Sequence, residues 1–380
     1  MKRTAVWLML LTAIVVPCCT LAEKPAPKSP NLTKIKSVFE MQDLYQATRI
    51  PNITVTTDGT VLAFAKSGRM IRRSTDAGKT WSKAVEVGPD AGGSAIVDET
   101  TGDVMMVRSR SGYLWRSKDQ GKTWKREDIK IKPNAAGHGD PSGAIGINAS
   151  CSESGVTLRY GKHKGRLLMP ARVVPPKNSN AQETWPYHYN SAIYSDDGGK
   201  TWQTSGPVQS GTGEGTLAEL SNGNIYYNSR SHMSIDHRRR IAMSYDGGHM
   251  WTDWRVCDVL KEVGQPFYFK YGTKPSYGCN AGMIRLPLET TGGKDVLLFS
   301  APDNPGKSRV KMTVWASFDR GKTWPVKRLV YKGLSAYSSL AADKKGDIYL
   351  LFERGEKKLY QFVTVVKFNL AWLTEGKTQK

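Results

Sequence analysis

The segments STDAGKTW (74–81), SKDQGKTW (117–124), SDDGGKTW (195–202), SYDGGHMW (244–251) and SFDRGKTW (317–324) repeat one pattern, Ser-x-Asp-x-Gly-x-Thr-Trp, broken only where Met250 replaces Thr. An internal repeat constrains a fold strongly, because each copy belongs to one unit of a recurring architecture. Each copy also follows a short β-like run, such as VMMVRSRSGYLWRS or HYNSAIYS, and precedes another, which puts the motif at a hairpin turn. The residue types suit that place. Ser and Asp cap turn amides with their own oxygens, Gly takes a backbone conformation other residues avoid, and Trp packs back on the sheet. Asp76, Asp119, Asp197, Asp246 and Asp319 lie 43, 78, 49 and 73 residues apart, about one four-stranded unit per step with insertions in the longer ones.

The remaining composition agrees with an all-β chain. The 380 residues, 39% hydrophobic and 23% charged, can bury a sizeable core, while Gly 37, Trp 11 and Tyr 16 argue against long helices. A formal charge of +21 directs attention to anionic partners: nucleic acid, a membrane surface or an acidic small substrate. The basic run His237-Arg238-Arg239-Arg240 lacks the aromatic interleaving of a nucleic-acid patch and reads as a solvated loop, so no nucleic-acid partner is expected.

Lys2 and Arg3, the apolar run Ala5 to Val16 and the small-residue site Thr20-Leu21-Ala22 read as a cleaved export signal over 1–22, too short to span a bilayer comfortably. A proline-bearing leader over 23–37 follows, then the folded body over 38–374 and a tail over 375–380. The expected location is secreted or periplasmic, with no transmembrane segment. A lipoprotein anchor at Cys18 or Cys19 is disfavoured by the preceding Val16-Pro17. Cys151, Cys257 and Cys279 then remain. They are no disulfide framework, although one bridge with a spare thiol is open in an oxidising compartment, and no spacing suggests a metal or another cofactor.

The octapeptides resemble the Asp-box of the sialidase (neuraminidase) superfamily, and the resemblance implies a monomeric six-bladed β-propeller over 38–374, its sixth blade combining strands from both ends. Asp-boxes are structural and also recur in binding propellers, so function rests on other residues. Four patches resemble exo-sialidases in their chain order. RIPNI (49–53) carries the family's first arginine onto Arg49. GEGTLAELSNGNIYYNSR (213–230) assigns Glu214 and Arg230. SRVKMTVWASFDRGKTW (308–324) assigns Arg309, and SAYSSLAADKKGDIYLLFERG (335–355) assigns Tyr337 and Glu353.

These types make chemical sense together. A sialic acid carries a carboxylate on the carbon whose glycosidic bond breaks, and the guanidiniums of Arg49, Arg230 and Arg309 would clamp it, with Glu353 as counter-charge for Arg49. A neutral tyrosine approaches that anionic centre without repulsion, which makes Tyr337 the nucleophile the resemblance implies. Glu214 would take its proton, while the arginines favour the phenolate. Glu219, within the strand run LAEL, is the rival base and reads better as a structural partner. The expected ligands are sialylated glycans or other acidic sugars.

One departure stands out. The family places a general-acid aspartate some two dozen residues after its first arginine, yet the interval Arg49 to Ser74 holds only Asp58, which suits an Asp-Gly turn. Two readings stay open. Either the insertion 133–153 supplies the acid, with Asp140 as candidate and His138 as partner or substitute, or the protein is a binding-only or lyase-like relative, or a hydrolase for a different acidic sugar. A base acting on a tyrosine would be superfluous in a pure lectin, which favours catalysis. The loop 172–190, with Trp185, Tyr187, His188 and Tyr189, could line a pocket for a sugar's acyl group or stiffen a rim.

Overall fold

The computed structural model describes residues 35–149, 153–174, 187–233, 236–265, 268–269, 272–273 and 276–375. The expected export signal, nearly all of the leader, Cys151, Trp185 and the tail beyond 375 lie outside the described residues. Strand β1 (Phe39–Gln46) opens the described chain and joins the last sheet. A first sheet follows in hairpin order: β2 (Asn52–Val55), β3 (Val61–Ala65), β4 (Met70–Ser74) and β5 (Val85–Glu86). The second repeats it with β6 (Ser94–Val97), β7 (Val104–Arg108), β8 (Tyr113–Ser117) and β9 (Lys125–Asp128).

The third sheet is built on β13 (Leu167–Val174), β14 (Tyr189–Ser195) and β15 (Thr201–Thr204). β13 is flanked by β11 (Gly146–Asn148) and β12 (Val156–Thr157). β10 (Lys130–Lys132) adds on in parallel to β15, and β16 (Gln209–Ser210) pairs β14. The fourth sheet comprises β17 (Thr212–Glu219), β18 (Ile225–Ser231), β19 (Arg238–Ser244) and β20 (Thr252–Lys261). Four two-residue strands, β21 (Gly264–Gln265), β22 (Tyr268–Phe269), β23 (Gly272–Thr273) and β24 (Ser276–Tyr277), form two small ladders.

A seven-stranded sheet closes the sequence in the order β1-β30-β29-β28-β27-β26-β25, with β25 (Gly282–Arg285), β26 (Leu297–Pro302), β27 (Val310–Ser317), β28 (Val326–Ala342), β29 (Ile348–Gly355) and β30 (Phe362–Phe368). Its 17-residue β28 pairs β27 over its first half and β29 over its second. A one-turn helix, α1 (Leu370–Thr374), packs Trp372 beneath it.

Apolar side chains join the sheets pairwise. Phe64 and Ile71 of the first meet Met106 of the second, Met105 and Leu114 of the second meet Met169 of the third, and Leu168 of the third meets Leu217 and Tyr227 of the fourth. Tyr226 and Ile241 of the fourth meet Phe299 and Trp315 of the last sheet, whose far end packs Tyr349 and Val363 against Val61 and Ala63 of the first.

The repeats stand where β4, β8, β14, β19 and β27 end. In the third, Asp197 accepts from Ser195 Oγ at 2.8 Å, Thr201 Oγ1 at 2.6 Å and Thr201 N at 2.9 Å, while Gly199 N donates to Ser195 Oγ at 2.9 Å. Gly199 has φ +85°, and a Cβ there would stand 2.7 Å from Met105 Sδ, so both conformation and space require glycine. Trp202 Nε1 donates back to Gly199 O at 3.0 Å. Where Met250 replaces Thr, Asp246 keeps the amide of Met250 at 3.0 Å, and Trp251 Nε1 turns to Ser205 Oγ at 3.0 Å. The five aspartates are therefore turn supports, as their sequence setting implies.

Candidate active site

Arg49 precedes β2, Glu214 lies near the start of β17, Arg230 near the end of β18, Arg309 just before β27, and Glu353 near the end of β29. Because β17 and β18 are antiparallel, with Thr212 opposite Ser231, Glu214 and Arg230 share one end of their sheet. Both Glu214 and Tyr337 stand where the ladder slips. Between the pairs Thr212↔Ser231 and Gly215↔Ser229, three steps of β17 face two of β18, and the same mismatch lies between Ser335↔Arg354 and Ser338↔Phe352. Such a bulge re-aims a side chain that regular alternation would send elsewhere. The glycines flanking Glu214 have a further reason: a Cβ on Gly213 would stand 2.0 Å from the His232 ring and one on Gly215 2.4 Å from the Tyr227 ring.

The residues the sequence singled out converge on the Tyr337 phenol. Tyr337 Oη donates to Glu214 Oε1 at 2.6 Å, and Arg230 Nη1 donates both to Glu214 Oε2 at 2.6 Å and to Tyr337 Oη at 3.0 Å. The guanidiniums of Arg49, Arg309 and Arg230 lie 5.2, 5.5 and 6.0 Å from the centre of the Tyr337 ring. Glu353 accepts from Arg49 Nε at 3.1 Å, Ile50 N at 2.8 Å and Tyr337 N at 3.1 Å. One buried carboxylate thus fixes the first arginine and the backbone of the tyrosine together. Arg309 donates to Tyr360 Oη at 3.0 Å and to Gly278 O at 3.1 Å.

The protonation states differ from the sequence expectation in one respect. Burial, reinforced by the Glu214 charge, raises the Tyr337 phenol above its ordinary value despite the opposing pull of Arg230 and Arg309. The resting group is a neutral phenol rather than a phenolate, because desolvation outweighs the arginines. For Glu214 burial also disfavours the charge, but Arg230, His232 and Arg172 outweigh it and hold the carboxyl well below the usual range. An ionised carboxylate therefore accepts the hydrogen bond of a neutral phenol, the arrangement a base and a nucleophile need.

Glu219 stands apart, accepting from Arg159 N at 2.7 Å and Tyr160 N at 3.0 Å, which bears out its structural reading. Asp140 caps its own turn, accepting from Ser142 N at 2.8 Å and Ser142 Oγ at 2.7 Å, beside Gly139, whose carbonyl accepts from Thr204 on β15. His138 Nδ1 meets Tyr189 Oη at 2.8 Å. Where the family's acid loop is expected, β3 runs into a tight turn in which Lys66, Ser67 and Gly68 all have positive φ (54°, 55° and 86°), and Ser67 N donates to Arg49 O at 3.4 Å. A turn this short leaves no loop to carry a carboxylate. Of the aromatic loop, Tyr187 is exposed, whereas His188 and Tyr189 are buried. Cys257 and Cys279 are free and buried.

Sequence reasoning missed several neighbours. His232 Nε2 donates to Glu214 Oε2 at 3.2 Å, and its place two residues after Arg230 was the available signal. Tyr360 stacks 3.8 Å from the Arg49 guanidinium but comes from a hairpin loop without a motif. Glu153, the last residue of the 133–153 insertion, is wholly enclosed. Its N–H donates to Gly215 O at 3.3 Å, Ser339 Oγ donates to its Oε1, and its Oε2 has no hydrogen-bond partner.

Burial pushes the Glu153 carboxyl up to about 8 from 4.5. Its folded value lies above its unfolded value, so the folded state binds more protons between about pH 4.5 and 8 and loses stability as pH rises through that window. Urea denaturation at pH 5 and pH 8 is expected to show a decline of a few kcal/mol across the interval, and Glu153→Gln should remove that decline.

The BNR repeat-like domain model matches residues 85–350, and a BNR/Asp-box repeat matches 72–83. The chain belongs to this BNR repeat-like family, within the sialidase superfamily. It is 29% identical over 420 residues to a sialidase of Micromonospora viridifaciens, covering 98% of this chain and 60% of that protein. It is 26% identical over 344 residues to a sialidase of Bacteroides fragilis, covering 81% and 60%. The chain thus spans about three fifths of these relatives' length. In fold it is similar to the Hadza microbial sialidase Hz136 (TM-score 0.64, 24% identity, 86% of this chain and 66% of that one). It is similarly close to the intramolecular trans-sialidase of Ruminococcus gnavus (TM-score 0.65, 16% identity, 89% and 98%).

Proposed function

We propose that the protein is an exo-α-sialidase, a glycoside hydrolase that removes terminal α-linked sialic acids from glycoconjugates with retention of configuration. The observation that carries this reading is the hydrogen-bonded set Glu214–Tyr337–Arg230 with three guanidiniums around one phenol. Arg49, Arg230 and Arg309 bind the sugar carboxylate. Tyr337 Oη attacks the anomeric carbon while its proton passes to Glu214 Oε1, and the bond to the leaving oxygen breaks. Water then attacks the same carbon from the vacated side and passes one proton to the ionised Asp140 that had protonated the leaving oxygen, the bond from the carbon to Tyr337 Oη breaks, and Glu214 returns the proton to Tyr337 Oη. The names of the curated relatives support this reading, as does the superfamily membership. The same reading takes the packed sheets as six blades around one axis, with the two halves of the seven-stranded sheet as separate blades, and takes residues 1–22 as an export signal.

Asp140 is the proposed acid for the leaving oxygen. A substrate with a good leaving group needs little protonation, one with a sugar alcohol needs much. Asp140→Asn is therefore expected to slow sialyllactose cleavage by about 10²-fold and a 4-methylumbelliferyl sialoside by less than about tenfold. Equal rates for variant and wild type on both substrates would remove Asp140 from the mechanism without touching Tyr337.

A further inference from the structure

Arg172, on β13, belongs to none of the motifs that define the site. Its strand neighbours are Asn148 on β11 and Asn190 on β14, and Asn190 Nδ2 reaches across to Gly213 O at 2.6 Å, next to Glu214. Leu168, four residues earlier on the same side of β13, packs against Leu217 and Tyr227, so this side of the strand faces the sheet that carries Glu214. The guanidinium is close enough to act on the charges of Glu214, His232 and His188. Arg172 is 8% exposed, its Nε is buried without a hydrogen-bond partner, and among the described residues no carboxylate pairs with it.

A buried guanidinium without a partner is costly, and the cost is offset when a ligand brings an anion to it. The local charges make the same point. Three guanidiniums, those of Arg49, Arg230 and Arg309, surround the phenol and that of Arg172 acts on Glu214 beside it, against the two carboxylates of Glu214 and Glu353. The other buried pair nearby, Arg239 and Glu262 at 3.0 Å, neutralises itself. His188 and His232 are pushed down to about 3, by burial first and then by neighbouring arginines, and carry no charge near neutrality. A sugar with one carboxylate would leave one positive charge unmatched.

We infer that the site takes a sugar acid bearing a second anionic substituent, a sulfate ester or a further carboxylate, and that Arg172 binds that second group. The inference rests on the reading of Arg49, Arg230 and Arg309 as the clamp for the first carboxylate. The overall charge of +21 suits glycans that carry more than one charge per terminal residue.

The test is calorimetric binding of N-acetylneuraminic acid and its 4-, 8- and 9-O-sulfate esters to the full chain, with Arg172→Gln and Arg49→Ala as variants. The expected result is that one ester binds wild type at least about tenfold more tightly than the parent sugar, a gain of about 1.4 kcal/mol, and that this ratio falls to about one in Arg172→Gln. Arg49→Ala should weaken parent and ester together, which reports on the clamp separately. Wild type that binds the parent sugar but favours none of the esters would overturn the second-anion site and leave the clamp. A preference that persists in Arg172→Gln would overturn the assignment to Arg172. Binding of an ester alone, lost in Arg172→Gln, supports the inference and discards the unsubstituted sugar as substrate. No binding of any sugar by folded wild type would overturn both readings. Removing an unpaired buried charge should also raise Tm by about 2–4 °C in Arg172→Met, and a fall of that size would mark a structural partner and count against the inference.

Discussion

Tyr337→Phe is expected to reduce turnover of a fluorogenic α-sialoside by at least about 10³-fold while the protein stays folded and still binds the sugar. The substitution removes one oxygen and leaves the ring between its three guanidiniums. Glu214 and Arg230 keep their own 2.6 Å contact, so no buried charge is orphaned. Stability should therefore change by only about 1 kcal/mol, the net worth of the lost hydrogen bond. Steady-state kinetics with calorimetric binding of the product distinguish the outcomes. Retained turnover would mean that another group attacks the anomeric carbon, and loss of both turnover and binding would mean that the phenol holds the arginines rather than reacts.

Glu214→Gln should lose activity and stability together. Arg230 is wholly enclosed, and Glu214 is the carboxylate that meets it at 2.6 Å. Breaking a buried pair by removing one partner typically costs about 3–5 kcal/mol, because the remaining charge stays desolvated. The pH dependence carries a matching signature. The folded value of Glu214 is depressed below its unfolded one, so its stabilisation is present above about pH 4.5 and is lost as acid titrates the folded carboxyl. Urea titrations of wild type should show this loss on acidification and the variant should lack it. A variant as stable as wild type would mean that Arg230 finds another acceptor.

The repeats made the strand-turn-strand units legible, because Ser, Asp, Gly and Trp in fixed order leave a hairpin little alternative. The long β28 was not legible, since a strand that changes partners midway has no local mark distinguishing it from two strands. Tyr337, Glu214, Arg49, Arg230, Arg309 and Glu353 meet at one place, because patches with fixed spacing sit on strands whose ends converge. Asp140 depended on a loop, where spacing does not predict direction, and its hydrogen bonds to Ser142 are those of an ordinary turn. Arg172 and Glu153 were invisible for a different reason. Their character comes from burial beside groups distant in sequence, which no pattern of neighbours records. The misjudged phenol has the same origin, since the arginines were countable in advance but the desolvation was not.

The paired slips in β17 and β28 carry a consequence for how such a molecule changes over time. Regular pairing is the locally easier arrangement, and a chain that lost one residue from either slip could recover an uninterrupted ladder. Tyr337 and Glu214 would then no longer be aimed as they are. Loss of chemistry by shortening and improvement of the scaffold can thus be the same event, and inactive descendants with sound architecture are an accessible outcome of this design.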